Sequence, residues 1–135
     1  MTTNTIPAIG QAWPEQGGVY LGQRLIGGVP HHIIVSPSIE NDIKGVAFAN
    51  VNQAVADAGE INGHSDWRAP EQEDLMLAYV IAPDLFVRKG WESIYWSRSE
   101  HHDWPWAVVF ENGDVGNGSR NNEFRVRPFR SIKVD

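Results

Sequence analysis

Apolar positions along the chain fall into short runs separated by turn residues. Residues 17–22 and 24–26 are divided from 32–35 by Gly27-Gly28-Val29-Pro30, and this spacing predicts an N-terminal hairpin of short strands. From Ala47 the pattern changes period. Ala47, Val51, Ala54, Val55 and Ala58 recur at helical spacing and Gly59 supplies a stop, which predicts a first helix. A second helix is predicted to open near Pro70, with Glu71, Glu73 and Asp74 in its first turn. Leu75, Ala78, Tyr79 and Ala82 lie along one face, and Pro83 closes it.

Beyond Pro83 the period shortens again. Residues 94–97 and 106–110 read as strands, and the Glu111-Asn112-Gly113-Asp114 turn between strand signals carries the Asn-Gly pair that suits a type I′ hairpin. Residues 123–127 alternate apolar and charged, as a half-buried strand does, and Pro128 restricts that strand to an edge or a bulge. Strands, two helices, then strands predict an α+β fold with an antiparallel sheet. At 135 residues, with no internal repeat and no linker, the chain is read as one domain, 1–135.

Composition narrows the function classes. A net charge of -6 argues against a nucleic-acid partner, whose phosphates need clustered Lys and Arg. No apolar stretch reaches membrane-spanning length and the first residues lack a secretory pattern, so the expectation is synthesis in the cytoplasm without membrane insertion. The chain holds no cysteine, which excludes disulfides, thiolate metal sites and thiol nucleophiles. Its 13 Gly and 8 Pro beside six Trp point to many turns around large aromatic anchors. Trp67, Trp96 and Trp106 are expected in the core.

Several motifs bear a family likeness. Asp66-Trp67-Arg68-Ala69-Pro70, followed by Glu73-Asp74-Leu75, resembles the pattern GxxDWRLPTxxEL; Tyr95-Trp96-Ser97 resembles YWSSTE; Trp106 to Asp114 resembles AWxVDFxNGD; and Arg125 to Arg130 resembles VRPVR. In that order and spacing they are similar to the collagen-like-adhesin (Lcl) C-terminal domain family, and the opening at 17–22 resembles its stand-alone phage and prophage forms. The likeness implies a C-type-lectin-like fold in which the first and last strands pair. It also implies an adhesin or tail-associated recognition role. Ala69 stands where the family usually has Leu, and Val109 where it often has Asp. The tripeptides of calcium-dependent sugar sites are absent, and Glu111, Asp114 and Asn117 match no cation loop, so no cofactor is expected and calcium has no motif to support it.

Asp66 is placed to help cap the second helix, Arg68 to bridge loops, and Glu71, Glu73 and Asp74 to form a solvated helix end. Of the histidine pairs His31-His32 and His101-His102, neighbours on an extended chain point to opposite faces, so a surface role is expected of them. One enzymatic alternative sets His101 or His102 with Glu100 or Asp103 as acid and base and Ser119 as nucleophile. None lies in a nucleophile motif, and no catalytic residue or metal ligand is assigned; the expectation is a binding protein, not an enzyme. The related lectin-like oxidases depend on cysteine.

The expected binding surface comprises two polar loops, 98–105 and 117–123, that lie near each other and carry His101, His102, Asp103, Trp104, Arg120, Asn121 and Asn122. The expected partner is a host-surface protein or glycan, or another virion protein. Alternatives are a virion assembly protein that forms homo-oligomers and a small effector that binds a host protein.

Overall fold

Ile33-Ile34-Val35 cannot be a strand with one wet face, because consecutive side chains leave a strand on opposite sides. In the computed structural model, which describes residues 5–101, 104–117 and 119–135, with His101 and Asn117 at the backbone, all three are fully buried. Ile33 and Val35 join Val19, Leu21, Leu75, Tyr95, Val108, Phe110 and Phe129 in one apolar cluster. Ile34 joins Tyr20, Phe48, Val55, Trp67, Trp96 and Phe124 in a second. The strand through residues 33–35 is therefore buried on both faces.

The architecture is α+β. One sheet contains β1 (Ala12–Trp13), β2 (Gly18–Ile26), β3 (Val29–Val35) and β9 (Phe129–Lys133), in the order β1-β2-β3-β9. The other contains β4 (Ile43–Ala47), β5 (Ile94–His101), β6 (Trp104–Val109), β7 (Val115–Asn117) and β8 (Glu123–Val126), in the order β4-β8-β5-β6-β7. Pairing is antiparallel throughout except between β5 and β8, which meet in parallel at Tyr95 and Arg125. The two helices are short, α1 at Val51–Ala58 and α2 at Gln72–Ile81. The last strand does return to the N-terminal hairpin, but it pairs with β3, leaving β1 on the opposite edge.

Local chemistry explains most boundaries, and it corrects four expectations. Residues 18–26 form one continuous strand, kinked by a bulge at Gly22, rather than two. The hairpin turn is only Gly27-Gly28, with φ of 59° and 79°, so the two left-handed positions of a type I′ turn sit here. Asn112 keeps a negative φ, since Asn62 is the only positive-φ non-glycine among the described residues. The 109–114 turn is instead closed by Gly113 N–H donating to the Val109 carbonyl at 2.8 Å. Finally, β8 lies inside its sheet between β4 and β5, and Pro128 falls in the two-residue step from β8 to β9 where no ladder bond is needed.

Gly18 sets how closely β2 can lie against β3. A Cβ there would sit 2.2 Å from the Val35 carbonyl oxygen, which is backbone and cannot rotate aside. Gly18→Ala is expected to lower stability by about 2 kcal/mol or more through overpacking, read as a drop in the urea midpoint. A midpoint unchanged from wild type would show that β2 can shift freely.

Candidate recognition surface

The β5–β6 hairpin is pinned at its bulge between Trp96 and Glu100. Ser97 Oγ donates to the Trp106 carbonyl at 2.8 Å and accepts from Ser99 N–H at 3.0 Å. Ser99 Oγ in turn donates to Glu71 at 2.7 Å, and Arg98 pairs with the same carboxylate. Burial would raise the Glu71 pKa, but the Ser99 and Arg98 donors outweigh it and hold the carboxyl below its ordinary range. Glu71 thus anchors the hairpin to the start of α2 and is not a solvated helix end.

The expected loop at 98–105 is therefore mostly strand. Glu100 pairs across to Pro105 and His101 to Trp104, and Trp104 is 57% exposed near the tip. His102 and Asp103 lie outside the described residues, as does the His101 side chain. The second segment is a turn: Asn122 N–H donates to the Ser119 carbonyl at 2.9 Å, Asn122 Oδ1 accepts from Ser119 N–H at 2.9 Å, and Asn121 N–H donates to Ser119 Oγ at 3.3 Å. Arg120 pairs with Glu100 and places its guanidinium 5.4 Å from the centre of the Phe48 ring. That pair brings the two segments together, as the sequence suggested.

Trp91 was not singled out by any period in the sequence. It follows Gly90, whose φ of 69° turns the chain outward, and stands 64% exposed in a charged stretch, Lys89-Gly90-Trp91-Glu92. Its indole rests against Phe124, with ring centres 5.2 Å apart. Hollows of about 150 and about 220 Å³ adjoin it; Lys44, Glu92 and Glu123 rim the first, while Val109, Gly116 and Asn122 line the second. An aromatic among charged residues outside any helical or strand period was the available signal.

Beneath Trp91 lies an ionic network that the sequence did not reveal. The Asp42 side chain is fully buried and accepts from Arg127 Nε at 2.6 Å, Arg125 Nη1 at 3.2 Å and the Tyr95 hydroxyl at 2.5 Å. Burial, with Asp42 beside it, pushes the Tyr95 phenol up, so it stays protonated and keeps donating. Arg125 Nη2 donates to Glu92 at 2.9 Å, fixing the residue next to Trp91. Arg125 and Arg127, read as the wet face of a half-buried strand, are 7% and 0% exposed.

A model of the Lcl C-terminal domain matches residues 32–130. The chain belongs to the Lcl C-terminal domain family. Membership makes it an adhesin-like binding domain. A search of curated proteins finds no match. The family's Asp-Trp-Arg motif clasps the segment before α2 to β9 in this member. Asp66 does not cap α2; it pairs with Arg130 on β9 at 2.5 Å, which keeps its carboxyl pKa low. Trp67 is buried and donates to the Ile61 carbonyl, and Arg68 bonds Asp74 at 2.7 Å while its backbone pairs with Phe129. Ala69 is buried in the core, and Val109, at a frequent Asp position, lines the hollow beside Trp91.

The other candidates separate. Trp67 and Trp96 are core, but Trp106 is only partly buried. Asp74, expected in solvent, is fully buried between Arg24 and Arg68. The two N-terminal histidines do alternate faces. His31 donates from Nδ1 to the Val29 carbonyl, whereas His32 is 6% exposed and bonded to the Tyr20 hydroxyl at 2.8 Å, so it has no surface role. Burial holds His32 below the ordinary imidazole pKa. Of the acid, base and nucleophile alternative, Glu100 is taken up by Arg120 and Ser119 Oγ caps its own turn. Among the described residues no three His, Asp or Glu converge on a metal position, and no helix is long and apolar enough to cross a membrane.

Proposed function

We propose that this domain is a recognition module, phage- or prophage-encoded and without catalytic activity, that binds a molecule on the host surface. The carrying observation is that Trp104 stands exposed in the first of two segments, 98–105 and 119–122, that the Glu100–Arg120 pair holds together. Exposed Trp and Arg, here Trp104 on the β5–β6 hairpin and Arg120 on the adjoining turn, are the residue types that dominate binding energy, with Asn121 and Asn122 as adaptable polar contacts. Return of the final strand to the N-terminal hairpin, with two short helices alongside, supports the lectin-like reading of the fold.

Fluorescently labelled protein is expected to bind intact host cells saturably. The double variant Trp104→Ala, Arg120→Ala is expected to bind at least about thirtyfold more weakly, as loss of a hot spot worth ~2 kcal/mol requires. Wild type that binds no candidate host refutes the reading. A second reading, a virion assembly contact, is favoured by a groove between β2 and α2 in which Leu25 and Val80 are 63% and 72% exposed. Copurification with virions in the absence of cell binding would select it.

A further inference from the structure

We propose that Trp91 is the stacking platform of a subsite for one neutral pyranose ring, with Lys44 and Glu123 engaging its hydroxyls. The inference rests on the recognition reading above and gives that reading a ligand class, a neutral glycan.

The platform is rigid before anything binds. Phe124 supports the indole from beneath, and the Arg125–Glu92 bond holds the following residue to the buried Asp42 network. A fixed exposed ring loses little conformational entropy on binding, unlike a long flexible side chain. Size and charge then select the occupant. The hollow of about 150 Å³ that Trp91 shares with Lys44 and Glu123 falls below the ~300–1,000 Å³ of drug-sized pockets and suits a single ring. Lys44 and Glu123 are exposed on the same rim, and neither side chain has an ion pair or hydrogen bond among the described residues. Glu92 is already neutralised by Arg125.

An anionic ligand would meet Glu123, and a cationic one Lys44. A purely apolar side chain would desolvate both without a partner. A neutral polyol satisfies both, because an ammonium only donates, a carboxylate only accepts, and a hydroxyl does either. The C–H face of a pyranose covers the indole while its equatorial hydroxyls reach this rim.

Saturation-transfer NMR of the whole domain with methyl glycosides of glucose, galactose, mannose and N-acetylglucosamine tests the subsite. At least one is expected to bind saturably with a Kd of about 0.1–10 mM, the range of a weak single-ring contact. Trp91→Ala is expected to weaken that binding at least about tenfold, with its urea midpoint confirming a folded protein. Glu123→Gln and Lys44→Gln, which disturb no buried partner, are expected to weaken it severalfold. No binding by any glycoside, undiminished binding by Trp91→Ala, or preference for a sulfated over a neutral sugar overturns the inference. If labelled protein binds cells but Trp91→Ala binds them equally, or if protease rather than periodate treatment of the cells abolishes binding, the subsite is wrong while the recognition reading stands. Absence of all cell binding removes the recognition reading itself.

Discussion

Asp42→Ala is expected to lower the unfolding free energy by about 3–5 kcal/mol, a large part of the ~5–15 kcal/mol that holds a domain folded. The Asp42 side chain has no solvent exposure and faces two guanidiniums, of which that of Arg127 is also fully buried. Arg127 also donates to the Ser36 and Leu85 carbonyls, at 3.1 and 2.6 Å, and lies 4.3 Å from the centre of the Phe86 ring. Those neutral contacts hold the cation in place after its counter-charge is removed, so the variant retains a buried, uncompensated charge. The Tyr95 hydroxyl loses its acceptor at the same time. Asp84→Ala is the natural control. Asp84 pairs with Arg88 but is 93% exposed, and its loss is expected to stay within about 0.5 kcal/mol. Urea midpoints of the three proteins decide the matter. Asp42→Ala unfolding at the wild-type midpoint would mean that the network contributes nothing to stability.

That network also marks where sequence reading reaches its limit. Elements written in short-range periodicity were legible: α1 and α2 came from apolar spacing, and the β2–β3 hairpin from two adjacent glycines between apolar runs. Charge pairing was not legible, because its partners are remote. Asp42 meets Arg125 and Arg127 at separations of 83 and 85 residues, and Asp66 meets Arg130 across 64. An alternation such as Phe124-Arg125-Val126-Arg127 is the same string whether the arginines face water or a buried carboxylate. The first-turn acids of α2 show the same ambiguity, since the helix dipole explains them without any partner. The adjacency of the 98–105 and 117–123 segments was readable because both border one small sheet; Trp91 was missed because it belongs to no period. Family motifs located Asp66 and Arg68 but not what each of them grips.

Asp74 gives the largest expected pH effect. Its carboxylate is wholly buried and accepts from Arg24 Nε and Arg68 Nη1, each at 2.7 Å, and from Glu71 N–H at 2.8 Å. Burial alone would raise its pKa, but the two guanidiniums and the N–H outweigh burial and hold it below the ordinary carboxylate value. The unfolded chain therefore takes up this proton more readily than the folded one. The stabilisation is complete above the unfolded value, about pH 3.9, and drains away as pH falls through the lower folded value. Glu71 and Asp66 are depressed too and act in the same direction, though Asp66 is 62% exposed and its share is screened. His32 adds a separate, earlier decline: burial lowers its pKa, so stability begins to fall as pH drops below about 6.5. Asp74→Asn is expected to lose about 3–5 kcal/mol at pH 7. Arg24 Nη2 and Arg68 Nη2 have no hydrogen-bond partner among the described residues, so no other acceptor stands ready. The variant should keep the His32 decline and show a flatter curve below pH 4, its free-energy gap to wild type narrowing as acid neutralises Asp74 in the parent. Urea unfolding from pH 7 to 3 measures that gap directly. Parallel curves over the whole range would mean that Asp74 is not the group that titrates.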